Sequence, residues 1–352
     1  MVMTRVLFFI VLFAFGCSRQ PEFRTFPKID AHVHLETYDE SFVEVLQQNH
    51  MRVITLVTGS SSQPRILEKY NYAKMLHDHH PYQIEFATTF SMEGFGEPGW
   101  EEKTLDWLEH CFNEGAIALK VWKDIGMTFR DTSGEFILID DPRLDPVFNY
   151  VEARGKTLVN HNAEPKNCWL PLNEMTVKGD SSYYSEHPQY HMYLHPEYPS
   201  YEELITARDR MLEKHPGLRY VGCHLGSQEW DLDVLANSLD QFPNMCVDMA
   251  ARISHFKIQD REKVRDFIIM YQDRLLYATD IEIHGNGNPD WSAEQAQNIR
   301  EETWRRDWEY FTTDQMFTQD DKVIEFQGLD LPVTVLKKIY SKNAERMYSI
   351  SP

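Results

Sequence analysis

The chain has 352 residues and a formal net charge of -20, with 42% hydrophobic and 13% aromatic residues. An acid excess of that size excludes sequence-independent nucleic-acid binding, which needs a basic face to displace counterions from phosphates. The apolar share is enough for a core, and the length fits two domains or one large α/β barrel.

Taken in chain order, Met1 to Arg5 carries one positive charge, and Val6 to Gly16 is an unbroken apolar run. That run is too short for an ordinary membrane span of about 20 residues. It ends Ala14-Phe15-Gly16-Cys17. A short apolar core closing on a cysteine resembles a bacterial lipoprotein signal, in which residues 1–16 are removed and Cys17 becomes the lipidated N-terminus. Phe15 and Ala14 depart from the usual residues there, so an ordinary cleaved signal or an uncleaved anchor is the alternative. Ser18 rather than Asp after the cysteine favours the outer membrane. The expected address is the cell envelope, lipid-anchored, with residues 17–26 as a tether and 27–352 as one domain. Cys111, Cys168, Cys223 and Cys246 form no CxxC pair and no disulfide framework, and read as small buried hydrophobes.

Eight β-rich runs follow: Lys28–His34, Arg52–Thr58, Ile84–Phe90, Ala116–Trp122, Thr157–His161, Arg219–His224, Asn244–Asp248 and Leu275–Asp280. Amphipathic stretches such as Glu101–Glu114, Tyr201–Lys214 and Arg261–Tyr271 separate them. Strands alternating with helices imply parallel βαβ units, and eight of them imply a closed (β/α)₈ TIM barrel. An open doubly wound sheet is disfavoured because no Gly-rich phosphate loop follows the first strand. Two connections are long. Glu164 to Ser200, after the fifth strand, is dense in aromatics and His, including Trp169, Tyr183, Tyr184 and Tyr190. Ile281 to Asp330, after the eighth, holds Trp291, Trp304, Trp308, Tyr310 and Phe311. Both are expected to be lids over one pocket.

The polar residues fall at strand ends. In Ile29-Asp30-Ala31-His32-Val33-His34, alternation puts His32 and His34 on one face. His161 ends the fifth strand, His224 the sixth and Asp280 the eighth. These are C-terminal strand ends, where barrel enzymes place their chemistry. Imidazoles with a carboxylate suit Zn²⁺, or Mn²⁺ as a second choice. Lys120 shares its facing with Ala118 and Trp122 and is expected to point into the barrel. Buried there, it could carry a carbamate bridging two metals, bind an anionic substrate group, or pair with a carboxylate. Glu164 is a candidate partner that orients the site, or a loop carboxylate capping the turn. Arg252 could hold a substrate carboxylate or phosphate, or pair with Asp248. Trp169 could wall the substrate pocket or simply pack.

With these residues in view, the chain resembles the amidohydrolase superfamily, in the amidohydrolase-related branch that also contains decarboxylases and hydratases. The resemblance rests on Ile-Asp-Ala-His-Val-His at 29–34, Ala-Leu-Lys-Val-Trp at 118–122 and Val-Asn-His-Asn-Ala-Glu-Pro at 159–165. Val-Gly-Cys-His-Leu-Gly at 221–226, Ala-Thr-Asp at 278–280 and Lys-Asn-Ala-Glu-Arg-Met-Tyr at 342–348 continue it in family order. It implies a divalent metal held by His32, His34, His161 and Asp280, with Asp280 also taking a proton from water and His224 acting as acid/base. One metal is the reading the branch favours; two metals bridged by carbamylated Lys120, with His224 as a ligand, is the alternative. The expected function is a metal-dependent hydrolase of an ester, lactone or amide of a small organic substrate. A non-oxidative decarboxylase or hydratase of an aromatic or dienoic acid is the alternative, and a non-catalytic ligand-binding lipoprotein the third. The expected partners are a small-molecule substrate and a lipid anchor, with a homodimer left open.

Overall fold

The computed structural model describes residues 20–284, 293–319 and 324–352. Val6–Gly16, Cys17 and Trp291 lie outside the described residues. Among the described residues no helix is long and apolar enough to cross a membrane.

The strands are β1 (Lys28–Glu36), β2 (Met51–Leu56), β3 (Ile84–Thr88), β4 (Ala118–Val121), β5 (Thr157–Asn160), β6 (Arg219–Gly222), β7 (Met245–Asp248), β8 (Leu275–Leu276) and β9 (Ile281–His284). They pair in parallel in sequence order from β1 to β8, and β9 lies on the other side of β1. β8 lies within the expected eighth strand, Leu275–Asp280, and β9 lies just beyond it, in residues expected to open the second long connection. Between them Ala31 N donates to Tyr277 O (3.0 Å) and Asp280 N to His32 O (2.9 Å). Residues 275–284 therefore touch β7 on one side and β1 on the other, and the TIM barrel closes. The break between β8 and β9 falls at Asp280, whose φ is 68°. The expected strands are all present; most end one or two residues earlier, because the residues beyond have turned out of the ladder to form the site.

The barrel interior is filled by small or branched residues that converge from β1 to β8 and the turn after it: Ile29, Ala31, Ile54, Ala87, Ala118, Val159, Val221, Cys246, Leu276 and Ala278. Its N-terminal end is stoppered by Met347, Tyr348 and Ile350 of the chain's last turn. Thr157 Oγ1, at the start of β5, donates to Met347 O (2.5 Å) and fixes that stopper. A second apolar layer lies between strands and helices and includes Val33, Leu35, Val53, Phe86 and Leu119.

β1 contains the irregularity on which the site turns. Asp30 pairs with Val53 and Val33 with Thr55, so β1 spends one residue more than β2 over the same stretch. This is a β-bulge. Ile29 and Ala31 face the barrel interior, yet Val33 and Leu35 belong to the outer layer. Strict alternation would have sent His32 and His34 outward with the opposite parity; the extra residue turns both inward.

The two long connections have different fates. The Glu164–Ser200 insertion stays at the C-terminal end of the barrel with a small core of its own, built from Ala163, Cys168, Tyr184, Met192 and Leu204. The described part of the second connection is not a lid. After β9, a helix (Ala293–Thr312) lies against the barrel wall, with Trp304, Trp308, Tyr310 and Phe311 buried. Trp304 lines an apolar seam with Val33, Leu35, Ile281 and Ile283, and Trp308 packs at a tilt against Phe26, with ring centroids 4.9 Å apart. Those aromatics answer the outward face that β1 gains from its bulge. All four cysteines expected to be buried are buried and free.

The wall helix also buries a carboxylate. Asp307 accepts from Tyr277 OH (3.1 Å), and burial pushes its pKa up from 3.8 to about 6. A folded-state pKa above the unfolded one means that the folded chain binds the extra proton, so this group lowers stability as pH rises from about 4 to about 6. Asp307→Asn should therefore raise stability at pH 7 by roughly 1–3 kcal/mol, the order of a two-unit shift. The gain should vanish below about pH 4, where both forms are neutral. Urea denaturation midpoints at the two pH values check it; an equal gain at both would assign the effect to packing instead.

Candidate metal centre

The ends of five barrel strands bring the site together. His32, within the bulge, and His34, just beyond it, come from β1, Asp280 from the break between β8 and β9, and Asp248 from the end of β7. His224 follows β6 directly, and His161 follows β5 with its N–H on Val121 O (3.0 Å).

Three of the four imidazoles are fixed by their rear nitrogens. His32 Nδ1 meets Asp248 Oδ2 at 3.0 Å, His34 Nδ1 meets Leu56 O at 2.9 Å and His224 Nδ1 meets Ala250 O at 2.9 Å. A carbonyl or ionised carboxylate only accepts, so each Nδ1 carries the proton and each Nε2 keeps its lone pair. Those lone pairs converge. His32 Nε2 and His34 Nε2 stand 3.3 Å apart, and Asp280 Oδ1 lies 3.1 Å from the first and 3.3 Å from the second. Three acceptor atoms this close repel unless a cation sits among them. Ligand bonds of about 2.0–2.2 Å give donor-to-donor edges of about 3.0–3.4 Å, so the triangle has the size a divalent ion requires. His224 joins it: its ligand atom and those of His32 and Asp280 lie within 4.8 Å of one another. His161 is one ring further, with its centroid 4.2 Å from that of His224, and its Nε2 is buried without a partner. The residues present fit a divalent metal.

The electrostatics agree. Burial alone would raise Asp280, but His32 and His34 hold it well below the usual carboxylate range. Burial would raise Asp248 too; the His32 ring and the backbone N–H of His224 (2.8 Å) hold it at about 2. Burial pushes His224 down to about 3 and, with the neighbouring His224 ring, pushes His161 well below its ordinary value. His224 and His161 are thus neutral beside ionised carboxylates, whereas Cys223, Asp248 and Asp280 hold His32 well above its ordinary value against the opposing effect of burial, so an ion bound at its Nε2 would have to displace a proton.

His224 is presented by an unusual turn. His224, Leu225, Gly226 and Ser227 all have left-handed backbone, with φ of 58°, 57°, 62° and 61°. Each non-glycine residue there costs about 1–2 kcal/mol. Surrounding polar contacts offset the cost. The buried Arg208 guanidinium donates to Gly226 O (2.9 Å) and Gln228 Oε1 (3.3 Å), Ser227 Oγ donates to Ala163 O (2.6 Å), and Tyr201 OH donates to Ser227 O. Gly226 relieves crowding in the turn: a Cβ there would sit 3.0 Å from Met245 Cε and 3.3 Å from Arg208 Nη1.

The remaining sequence candidates fall elsewhere. Lys120 points into the barrel as expected, but its Nζ lies on Cys223 Sγ (2.8 Å), below His32. Glu164 forms an ion pair with Lys123, not with a histidine of the site. Arg252 is buried and does not pair with Asp248; Glu229, Asp180 and Glu164 are the carboxylates around it, and they raise its pKa against the opposing effect of burial. Trp169 packs on Tyr201 at 5.6 Å and donates to Pro199 O (3.3 Å), within the insertion. Asp248 is the functional residue that sequence reasoning left aside. It ends its strand as His161 and Asp280 nearly end theirs, and that position was the available signal.

Comparison with known proteins agrees with this architecture. No curated protein matches the chain. Among solved structures, a 2,6-dihydroxybenzoate decarboxylase from Rhizobium superposes with a TM-score of 0.55 at 13% identity, covering 92% of this chain and 98% of that one. The structure of a 2,6-dihydroxybenzoate decarboxylase complexed with 2,6-dihydroxybenzoate gives 0.56 at 13% identity, with 92% and 98% covered. A dihydroxybenzoic acid decarboxylase from Polaromonas sp. JS666, with bound manganese and the inhibitor 2-nitroresorcinol, gives 0.53 at 14% identity, with 92% and 97% covered. These likenesses establish the fold. Residues 29–350 match the amidohydrolase family, so the barrel and its converging histidines belong to a chain of that family.

Proposed function

We propose that the protein is a hydrolase that holds one divalent ion at His32, His34, His161 and Asp280 and cleaves an uncharged ester, lactone or amide. The observation that carries the reading is the triangle of His32 Nε2, His34 Nε2 and Asp280 Oδ1, with 3.1–3.3 Å edges and both imidazole tautomers fixed from behind. A bound ion there would polarise a carbonyl and bring the pKa of water toward about 7. Asp280 takes the proton that the attacking water loses. His224, neutral and held by Ala250 O, keeps its Nε2 free to move that proton to the leaving group.

Hydrolysis of a neutral substrate is favoured over decarboxylation of an aromatic acid by the wall of the site. Arg252 is attended by Glu229, Asp180 and Glu164, and Lys123 is paired with Glu164. A substrate carboxylate approaching Lys123 would have to displace Glu164, and one approaching Arg252 would meet the field of three internal acids. We further propose that the chain is anchored to the envelope through a lipid on Cys17.

Substitutions at the site, a substrate panel and lipid labelling test these assignments. His224→Asn should keep its metal and lose turnover by roughly a hundredfold or more, the loss of a positioned proton-transfer group, with substrate binding much less affected. His161→Asn should lose metal and activity together, and Asp280→Asn should be inactive even with metal present. If His224→Asn loses metal as fully as His161→Asn, His224 is a ligand and the acid/base must be sought elsewhere. Asp248→Asn should weaken metal affinity by roughly 10–100-fold in a chelator competition, because it loosens the group that orients His32. A panel of lactones, esters and acyl amides beside hydroxybenzoates decides the reaction: turnover of hydroxybenzoates alone makes the protein a decarboxylase, and turnover of none supports a binding role. Fatty-acid labelling in the native host should disappear in Cys17→Ser; undiminished labelling rules the anchor out.

A further inference from the structure

The ring of His32 divides the barrel interior into two donor nests. Above it, on the Nε2 side, lie His34, His224 and Asp280. Below it, on the Nδ1 side, lie Cys223 and Asp248, whose ligand atoms stand with one of His32 within 4.8 Å of one another. All three residues of the lower nest are buried. Once His32 gives up the Nδ1 proton it shares with Asp248, imidazolate, thiol and carboxylate together make a donor set for a soft or borderline divalent ion. The stopper adds a further polar atom on this side: Tyr348 OH is buried without a partner, and Asp248 and Cys223 are the charges that act on it.

The two nests differ in one respect. Among the described residues no lysine or arginine is hydrogen-bonded to His34, His224 or Asp280 of the upper one, which has an ionised carboxylate to neutralise. The lower one already holds a cation. Lys120 leaves β4 with the inward facing of Ala118, is buried, and puts Nζ 2.8 Å from Cys223 Sγ. A buried ammonium is costly without negative or polarizable partners, and a buried carboxylate with a thiol is costly without a cation. Each meets the other's need. A divalent ion in the same place would stand against the Lys120 charge in a low-dielectric interior, where like charges a few ångströms apart repel strongly.

We propose that Lys120 is the resident cation of the lower nest: its ammonium takes the place of a second metal ion among His32, Cys223 and Asp248 and so limits the protein to one ion. The inference rests on the one-ion reading of the upper nest. It also gives Lys120 a role that excludes the bridging carbamate, since an amine committed to Cys223 below His32 is not available above it. Removing the lysine charge without removing its volume exposes a thiol-containing site for a second, thiophilic ion.

The test uses the full-length protein, stripped of metal and titrated with Co²⁺, read by stoichiometry and by the thiolate-to-cobalt charge-transfer band. Wild type should take one ion and show no such band. Lys120→Met should take two ions and show it; Lys120→Met combined with Cys223→Ser should return to one ion and lose it. Lys120→Arg, which keeps the charge, should behave as wild type. A charge-transfer band in wild type overturns the proposal without any variant. So does a folded Lys120→Met protein that still takes one ion with no band. Should Lys120→Met fail to fold, Lys120→Gln is read in the same way, and Cys223→Ser alone must leave the wild-type stoichiometry at one. Two ions in wild type with no sulfur band would place the second ion above His32 and sink the one-ion reading. One ion in wild type and two in Lys120→Met, without turnover of any ester, lactone or amide, would sink the hydrolase reading and leave this inference standing.

Discussion

One extra residue in the first strand is the constraint from which the metal centre follows. Between Asp30 and Val33 the first strand outruns its neighbour by one position. Because side chains alternate across a strand, a one-residue slip exchanges the faces of everything beyond it. Here the exchange turns two imidazoles inward and two apolar residues outward. The outward pair is covered by Trp304 and its neighbours on the wall helix, so the bulge is supported from both sides. Asp30, at the bulge, ties the arrangement together. It accepts from Thr279 N (3.0 Å), Thr279 Oγ1 (2.6 Å) and Trp304 Nε1 (2.9 Å), linking the first strand, the eighth and the wall.

The same economy runs through the rest of the centre, where local backbone cost is offset by buried polar contacts. Asp280 sits in a left-handed conformation at the point where the eighth strand breaks, with its N–H on His32 O. His224 sits at the head of a left-handed turn that few L-residues would adopt unaided. Arg208, Ser227 and Tyr201 make that turn stable. Asp248 serves both the first strand and this turn, through the His32 ring and through the backbone N–H of His224. One carboxylate thus fixes two histidines relative to each other. A site assembled this way is aligned before any ion or substrate arrives, which lowers the reorganisation required of binding and of proton transfer.

The insertion after the fifth strand brings further charged groups to this end of the barrel. Its Asp180 is held down against burial by His255 and Arg252, and its Glu164 pairs with Lys123. Its Trp169 packs on Tyr201 and donates to Pro199 O.

How much could be read from the sequence follows from the range of the forces involved. The alternation of apolar runs with amphipathic stretches is local, and it determined eight strands, their order and the closed barrel. The position of polar residues at the ends of those runs is local as well, and it singled out His32, His34, His161, His224 and Asp280. What the tertiary structure decided depends on contacts between distant segments. The bulge that aims His32 and His34 appears only when the first strand is laid against the second. The place of Lys120 depends on Cys223, 103 residues away in the chain, and that of Asp248 on His32, 216 residues away. The aromatics after the eighth strand looked like a lid because composition records hydrophobicity but not which surface it covers. Periodicity fixes which residues share a face; only packing fixes where that face looks.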